Sequence, residues 1–77
     1  MYKDLVEYLI KSLVDNTEAV AITESEVEGR TVITVKVDTS DMGRVIGKDG
    51  RIIKSIREIV RAYSAKNGHK VVVNIEE

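Results

Sequence analysis

Two glycines, Gly47 and Gly50, enclose Lys48 and Asp49 within the run Val45-Ile46-Gly47-Lys48-Asp49-Gly50-Arg51-Ile52-Ile53. Glycine tolerates positive φ and lets another backbone approach without a side chain in the way. If a helix opens at Gly50, its first N–H groups have no intrahelical acceptors, and the helix dipole places partial positive charge there. A phosphate is the natural guest of such a corner. Lys48 at the tip, with Arg44, Arg51 and Lys54 nearby, adds positive charge. Val45 and Ile46 precede the loop and offer an apolar floor for bases. The Asp49 carboxylate would repel a phosphate, so its expected contribution is its backbone N–H, with the side chain in solvent.

Other glycine-loop chemistries fail on spacing. A Walker A loop needs four residues between its first glycine and Gly-Lys-Ser/Thr, whereas Gly43 to Gly47 encloses three and Asp49 replaces the magnesium-binding hydroxyl. A dinucleotide fingerprint needs G-x-G after a strand inside a βαβ unit, and this run offers neither. No nucleophile–base pair and no metal-ligand spacing occurs elsewhere, and there is no cysteine. The sequence therefore reads as non-enzymatic, with no cofactor and no metal.

The elements that must position this loop follow from periodicity. Tyr2, Leu5, Val6, Leu9, Ile10 and Leu13 fall at helical spacing, so a first amphipathic helix is expected within Met1–Val14. Its Asp4 and Glu7 argue against a secretory or membrane-spanning segment, which makes the cytoplasm the expected location. A strand is expected from Ala19 to Glu28, polar enough in its outer half to lie at a sheet edge. A turn at Glu28-Gly29-Arg30 then returns the chain as a hairpin strand from Thr31 to Val37, with Ile33, Val35 and Val37 on one face. Thr39-Ser40-Asp41 offers helix-capping oxygens for a short helix ending at Ile46. A longer helix is expected from Arg51 to Lys66, with Ile52, Ile53, Ile56, Ile59, Val60 and Tyr63 toward the core and Lys54, Arg57 and Arg61 on the opposite side. Asn67-Gly68 stops it, and a last strand runs from Lys70 to Ile75.

The 77 residues suit one small domain. Twelve Val and nine Ile against three Leu, with no Phe or Trp, favour strands and closely packed helix faces. The net charge of −1 conceals an asymmetry: residues 1–43 carry four bases and nine acids, while residues 44–70 carry eight bases and two acids. A basic block inside a near-neutral chain implies a local anion-binding surface rather than indiscriminate coating of DNA.

The run Val45–Ile53 resembles the V-I-G-x-x-G-x-x-I signature of K-homology (KH) RNA-binding domains at every specified position, and the αββααβ order resembles the bacterial type II arrangement. The length, the Asp41-Met42-Gly43-Arg44 lead-in and the basic helix are similar to the small single-KH proteins of the KhpA family. The resemblance covers nearly the whole chain and implies a single KH domain over residues 1–77. Its fold would be α+β, a three-stranded sheet with helices packed on one face. It also implies an activity, binding of single-stranded RNA, in which the glycine loop clamps the backbone of about four nucleotides while bases lie over an apolar groove. On that basis Gly47, Lys48, Asp49 and Gly50 form the clamp, Ile46 and Ile53 the groove floor, and Arg44, Arg51 and Lys54 steer phosphates. Single-stranded DNA stays open as a ligand, because KH domains do not all require the 2′-hydroxyl. The family further implies an RNA chaperone working with a larger KH-containing partner, KhpB (also called Jag), in cell-envelope homeostasis. Homodimers, heterodimers with that partner, or both are implied, and no membrane association.

A competing reading is a protein-interaction module that dimerises and binds RNA weakly or vestigially. Arg57 and Arg61 equally suit an ordinary solvated helix face. His69, beside a turn and without ligand partners, is expected at the surface. Tyr2, Tyr8 and Tyr63 are too scattered for a base-stacking platform, with Tyr8 off the first helix's apolar stripe and exposed. Asp38 and Asp41 are expected to cap and to face solvent.

Overall fold

A computed structural model describes residues 2–76; Met1 and Glu77, which the sequence reading included in its first helix and its domain, lie outside them. The elements run α1 (Tyr2–Lys11), β1 (Ala21–Val27), β2 (Arg30–Lys36), α2 (Met42–Ile46), α3 (Arg51–Lys66) and β3 (Val71–Glu76). This is the expected αββααβ order of an α+β fold. Short 3₁₀ turns occupy Thr17–Ala19, Thr39–Asp41 and Lys48–Gly50. The first helix stops at Lys11 rather than Val14, and β1 starts at Ala21 rather than Ala19 because Thr17–Ala19 is a turn.

The sheet order is β1-β2-β3, with β2 central, antiparallel to β1 and parallel to β3. Glu28 and Gly29 both adopt positive φ, 51° and 79°, the backbone twist that suits a two-residue hairpin turn. The polar half of β1 does lie at an edge, with Thr23–Val27 exposed. A parallel pair needs a crossover, and here it is supplied by α2 and α3.

In the register Ile22 faces Val35 and Ile33 faces Val73, so four buried apolar side chains lie in adjacent strands. Tyr2, Val6 and Ile10 of α1 and Ile53, Ile56 and Val60 of α3 join them, with Val45 of α2. Burial of each such side chain contributes about 1.5–3 kcal/mol. Two expected core residues of α3 do not take part: Ile59 is 48% exposed and Tyr63 44%. Ile59 borders an open hollow between α3 and α1, and Tyr63 packs against the Tyr2 ring.

Two polar ties close the fold. Asp41, expected in solvent, is 2% exposed, and its carboxylate accepts from the N–H groups of Asp15 (3.1 Å) and Asn16 (3.0 Å). These bonds hold its pKa below the usual carboxylate value, chiefly through Asn16 and Asp15, with Arg44 adding a smaller effect. Asp38 does cap, accepting from Ser40 N–H at 3.0 Å. At the opposite end the Tyr2 hydroxyl is hydrogen-bonded to His69 Nδ1, and the Tyr2 ring meets Tyr63 edge-to-face at 5.6 Å. His69 itself is exposed, as expected, though tied by this bond.

Candidate nucleic-acid interface

The glycine run is a corner between α2 and α3. Gly47 N–H donates to the Gly43 carbonyl at 2.9 Å and ends α2. Gly47 then adopts φ 77°, ψ 178°, a region essentially reserved for glycine. A side chain would not fit in any case, because a Cβ there would lie 2.6 Å from Ile52 Cγ1. Asp49 and Gly50 are left-handed, with φ 56° and 71°. A Cβ on Gly50 would meet nothing within 4 Å, so this glycine serves backbone conformation rather than packing.

The Gly50 N–H donates to the Gly47 carbonyl at 3.3 Å, and the Arg51 N–H to that of Lys48. At the start of the sixteen-residue α3 no side chain caps the first turn at Gly50, and the first N–H groups of an α-helix lack acceptors within it. Lys48, Asp49, Arg51 and Lys54 are exposed around this corner. The exposed Asp49 side chain agrees with a backbone role for that residue.

A groove of about 320 Å³ lies between α3 and β3. Its α3 wall is Lys54, Arg57, Glu58 and Arg61, and its floor is Val71–Val73. The wall residues recur at i, i+3, i+4 and i+7, which places them on one helix face. Arg57 reaches across it, its Nε donating to the Val73 carbonyl at 2.9 Å. Beyond Arg61 the groove continues into a second hollow lined by Arg30, Arg61, His69, Lys70, Val71 and Val72. The result is an apolar trough with a largely cationic border, its Lys54 end in the first turn of α3.

The expected site residues divide. Gly47, Lys48, Asp49 and Gly50 form the corner itself, Lys54 lies on the trough wall, and Arg51 lines a different hollow, between α3 and α1. Ile46 is half-buried beside the corner. Ile53 is 7% exposed and belongs to the core cluster, so the trough floor is valine from β3 instead. Arg44 is occupied by carboxylates: Nη2 lies 3.1 Å from Asp15 and Nε 3.6 Å from buried Asp41. Arg57 and Arg61, which also fit a plain solvated face, line the trough. Spacing along α3 placed them beside Lys54, but nothing local to the sequence shows that β3 docks opposite.

The family model described as "KhpA/KhpB, KH domain" matches residues 3–75. The RNA-binding protein KhpA of Aquifex aeolicus is 47% identical over 97% of this chain and 95% of its own. Its namesake in Clostridium perfringens is 49% identical over 95% and 97%. Among solved structures, an Aquifex aeolicus Era bound to GDP and AlF4− superposes with a TM-score of 0.64 at 19% identity, over 95% of this chain and 28% of that one. Era in complex with MgGDPNP and a segment of 16S ribosomal RNA gives a TM-score of 0.66 at 20% identity, again over 28% of that chain. At such identity the likeness is one of fold, and this chain matches little more than a quarter of either Era chain.

Proposed function

The chain belongs to the KhpA/KhpB KH-domain family, a non-enzymatic one, and on that premise we propose that it binds single-stranded RNA, acting as a single KH domain. In this reading Gly47–Gly50 clamps the sugar–phosphate backbone. Lys48, Arg51 and Lys54 neutralise phosphates, and bases lie on Val71–Val73 between α3 and β3. The observation that carries it is the cation-bordered apolar trough, whose Lys54 wall residue stands in the first turn of α3, directly after the glycine corner. Phosphate charge and base surface would then be met in one pass. Arg44 acts on the clamp indirectly, by tying α2 to Asp15 and Asp41.

Anisotropy of a labelled, unstructured RNA pool tests the assignment. Lys48→Asp, checked for folding by circular dichroism, is expected to lose binding; unchanged binding would remove the loop from the site. Single-stranded DNA as competitor measures how much the 2′-hydroxyl matters.

A second surface favours a protein partner as well. Leu9 of α1 and Leu13 just after it, with Arg51, Ile52, Ile56 and Ile59 of α3, line a mostly apolar hollow of about 340 Å³ on another side of α3. Tyr63 on the same helix and Tyr8 of α1, 71% exposed, add apolar surface. We propose that this face pairs with another KH domain, in a homodimer or on a KhpB/Jag-type protein. Two clamps would then act on one RNA, raising the effective affinity. Such pairing fits a cytoplasmic RNA chaperone serving cell-envelope homeostasis, the role the family resemblance implies. No helix among the described residues is long and apolar enough to cross a membrane.

A further inference from the structure

The bond from Arg57 to β3 has a chemical consequence for which bases the trough accepts. β3 is an edge strand, paired with β2 on one side only. A carbonyl on such an edge is an acceptor that could take the exocyclic amino group of adenine or cytosine. At Val73 that acceptor is already engaged by Arg57 Nε at 2.9 Å. The same bond fixes the guanidinium plane across the trough. Its two Nη groups have no hydrogen-bond or ion-pair partner among the described residues, so the edge presents donors where a strand carbonyl would have accepted.

The remaining carboxylate of the trough is Glu58, beside Arg57 on the same wall. It forms no ion pair with Arg57, Lys54 or Arg61 among the described residues, which leaves its oxygens available as acceptors. Donors from Arg57 and an acceptor from Glu58 make a two-part reader. Uracil and guanine show a carbonyl next to a ring N–H, which complements it at both atoms. Cytosine and adenine show an amino group next to a bare ring nitrogen, which opposes it at both.

We propose that Arg57, held by the Val73 carbonyl and assisted by Glu58, makes the trough select keto bases (uracil and guanine) over amino bases (cytosine and adenine). The inference rests on the reading of the trough as the RNA site, and deepens it by naming the base class. Arg57 acts here as a specificity residue, distinct from the phosphate clamp at Lys48.

The test compares fluorescein-labelled U8 and C8, pyrimidine oligomers of equal length and charge that differ at this edge. Wild-type protein is expected to bind U8 about tenfold more tightly, the discrimination typical of a well-formed base contact. Arg57→Met should bring the ratio to about one, mainly by weakening U8, and Glu58→Gln should reduce it. Arg57→Lys keeps the charge and loses the planar fork, so it should retain C8 binding and lose most of the preference. Equal binding of the two oligomers by wild type, or a preference that persists in folded Arg57→Met, overturns the inference and leaves RNA binding standing. Failure of wild type to bind either oligomer overturns the RNA-site reading, and this inference with it.

Discussion

A Cβ on Gly47 would lie 2.6 Å from Ile52 Cγ1, on a backbone held at φ 77° and ψ 178°. Gly50 shares the positive φ but has open space around it. The two glycines of one motif therefore differ in kind, and substitution separates them. Gly50→Ala should cost about 1 kcal/mol, the left-handed penalty alone. Gly47→Ala adds a clash to a more restricted conformation and should cost about 3 kcal/mol. Urea midpoints of the two variants measure the difference, and equal losses would refute it. Asp41 makes a second residue-scale prediction. Its folded pKa lies below the ordinary 3.8 because backbone N–H groups bond the ionised form. Ionised Asp41 thus adds stability above the unfolded-state value, and that contribution is lost as pH falls through the folded one. Asp41→Asn should be destabilised at pH 7 and show a shallower loss of stability than wild type below about pH 4, as read by denaturation at each pH. The glycine pair was legible in the sequence because its geometry is local. Asp41 was not: its capping context is local too, but the N–H groups it accepts from come from Asp15 and Asn16, in the loop that follows α1.

At the scale of the element, α3 serves three surfaces at once. Ile53, Ile56, Val60 and Ser64 are buried, Lys54, Arg57, Glu58 and Arg61 wall the trough, and Ile52 and Ile59 line the apolar hollow beside α1. Periodicity in the sequence identifies the apolar stripe, but it says nothing of how wide a neighbour covers that stripe. Ile59 and Tyr63 therefore read as core and prove exposed. The same limit hid the floor of the trough, since Val71–Val73 line a groove only where an edge strand passes α3. Two predictions belong here. Ile59→Lys should leave the unfolding midpoint within about 0.5 kcal/mol of wild type while abolishing self-association in sedimentation velocity. A dimer that persists would place the interface elsewhere. Arg61→Ala should lower the slope of log affinity against log salt by about one, weakening all RNA sequences alike. Arg57 substitutions, in contrast, should alter preference between them.

For the whole molecule, the near-zero net charge hides two stretches of chain of opposite sign. The acidic residues before Gly43 include Glu24, Glu26 and Glu28 on or beside β1, and Glu26 and Glu28 share a hollow with Arg30, His69 and Lys70. The basic block folds into the corner and the trough. This division was legible from charge bookkeeping alone, as was the order of elements; the parallel placement of β3 against β2 was not. That placement has a thermodynamic consequence. The clamp lies inside the crossover between β2 and β3, and the floor of the trough is the strand that closes the crossover. Pairing Ile33 with Val73 closes a long loop, the slow, non-local kind of event in folding. Until β3 docks against β2, the trough has no floor. RNA would engage only the completed fold and act as a ligand of the native state, adding about 2.7 kcal/mol at a hundredfold excess over Kd. Thermal melting followed with rising RNA should show the transition climbing with ligand concentration, and the β3 amides should gain hydrogen-exchange protection with it. Each bound strand then does more than occupy the protein: it draws unfinished molecules toward the native state.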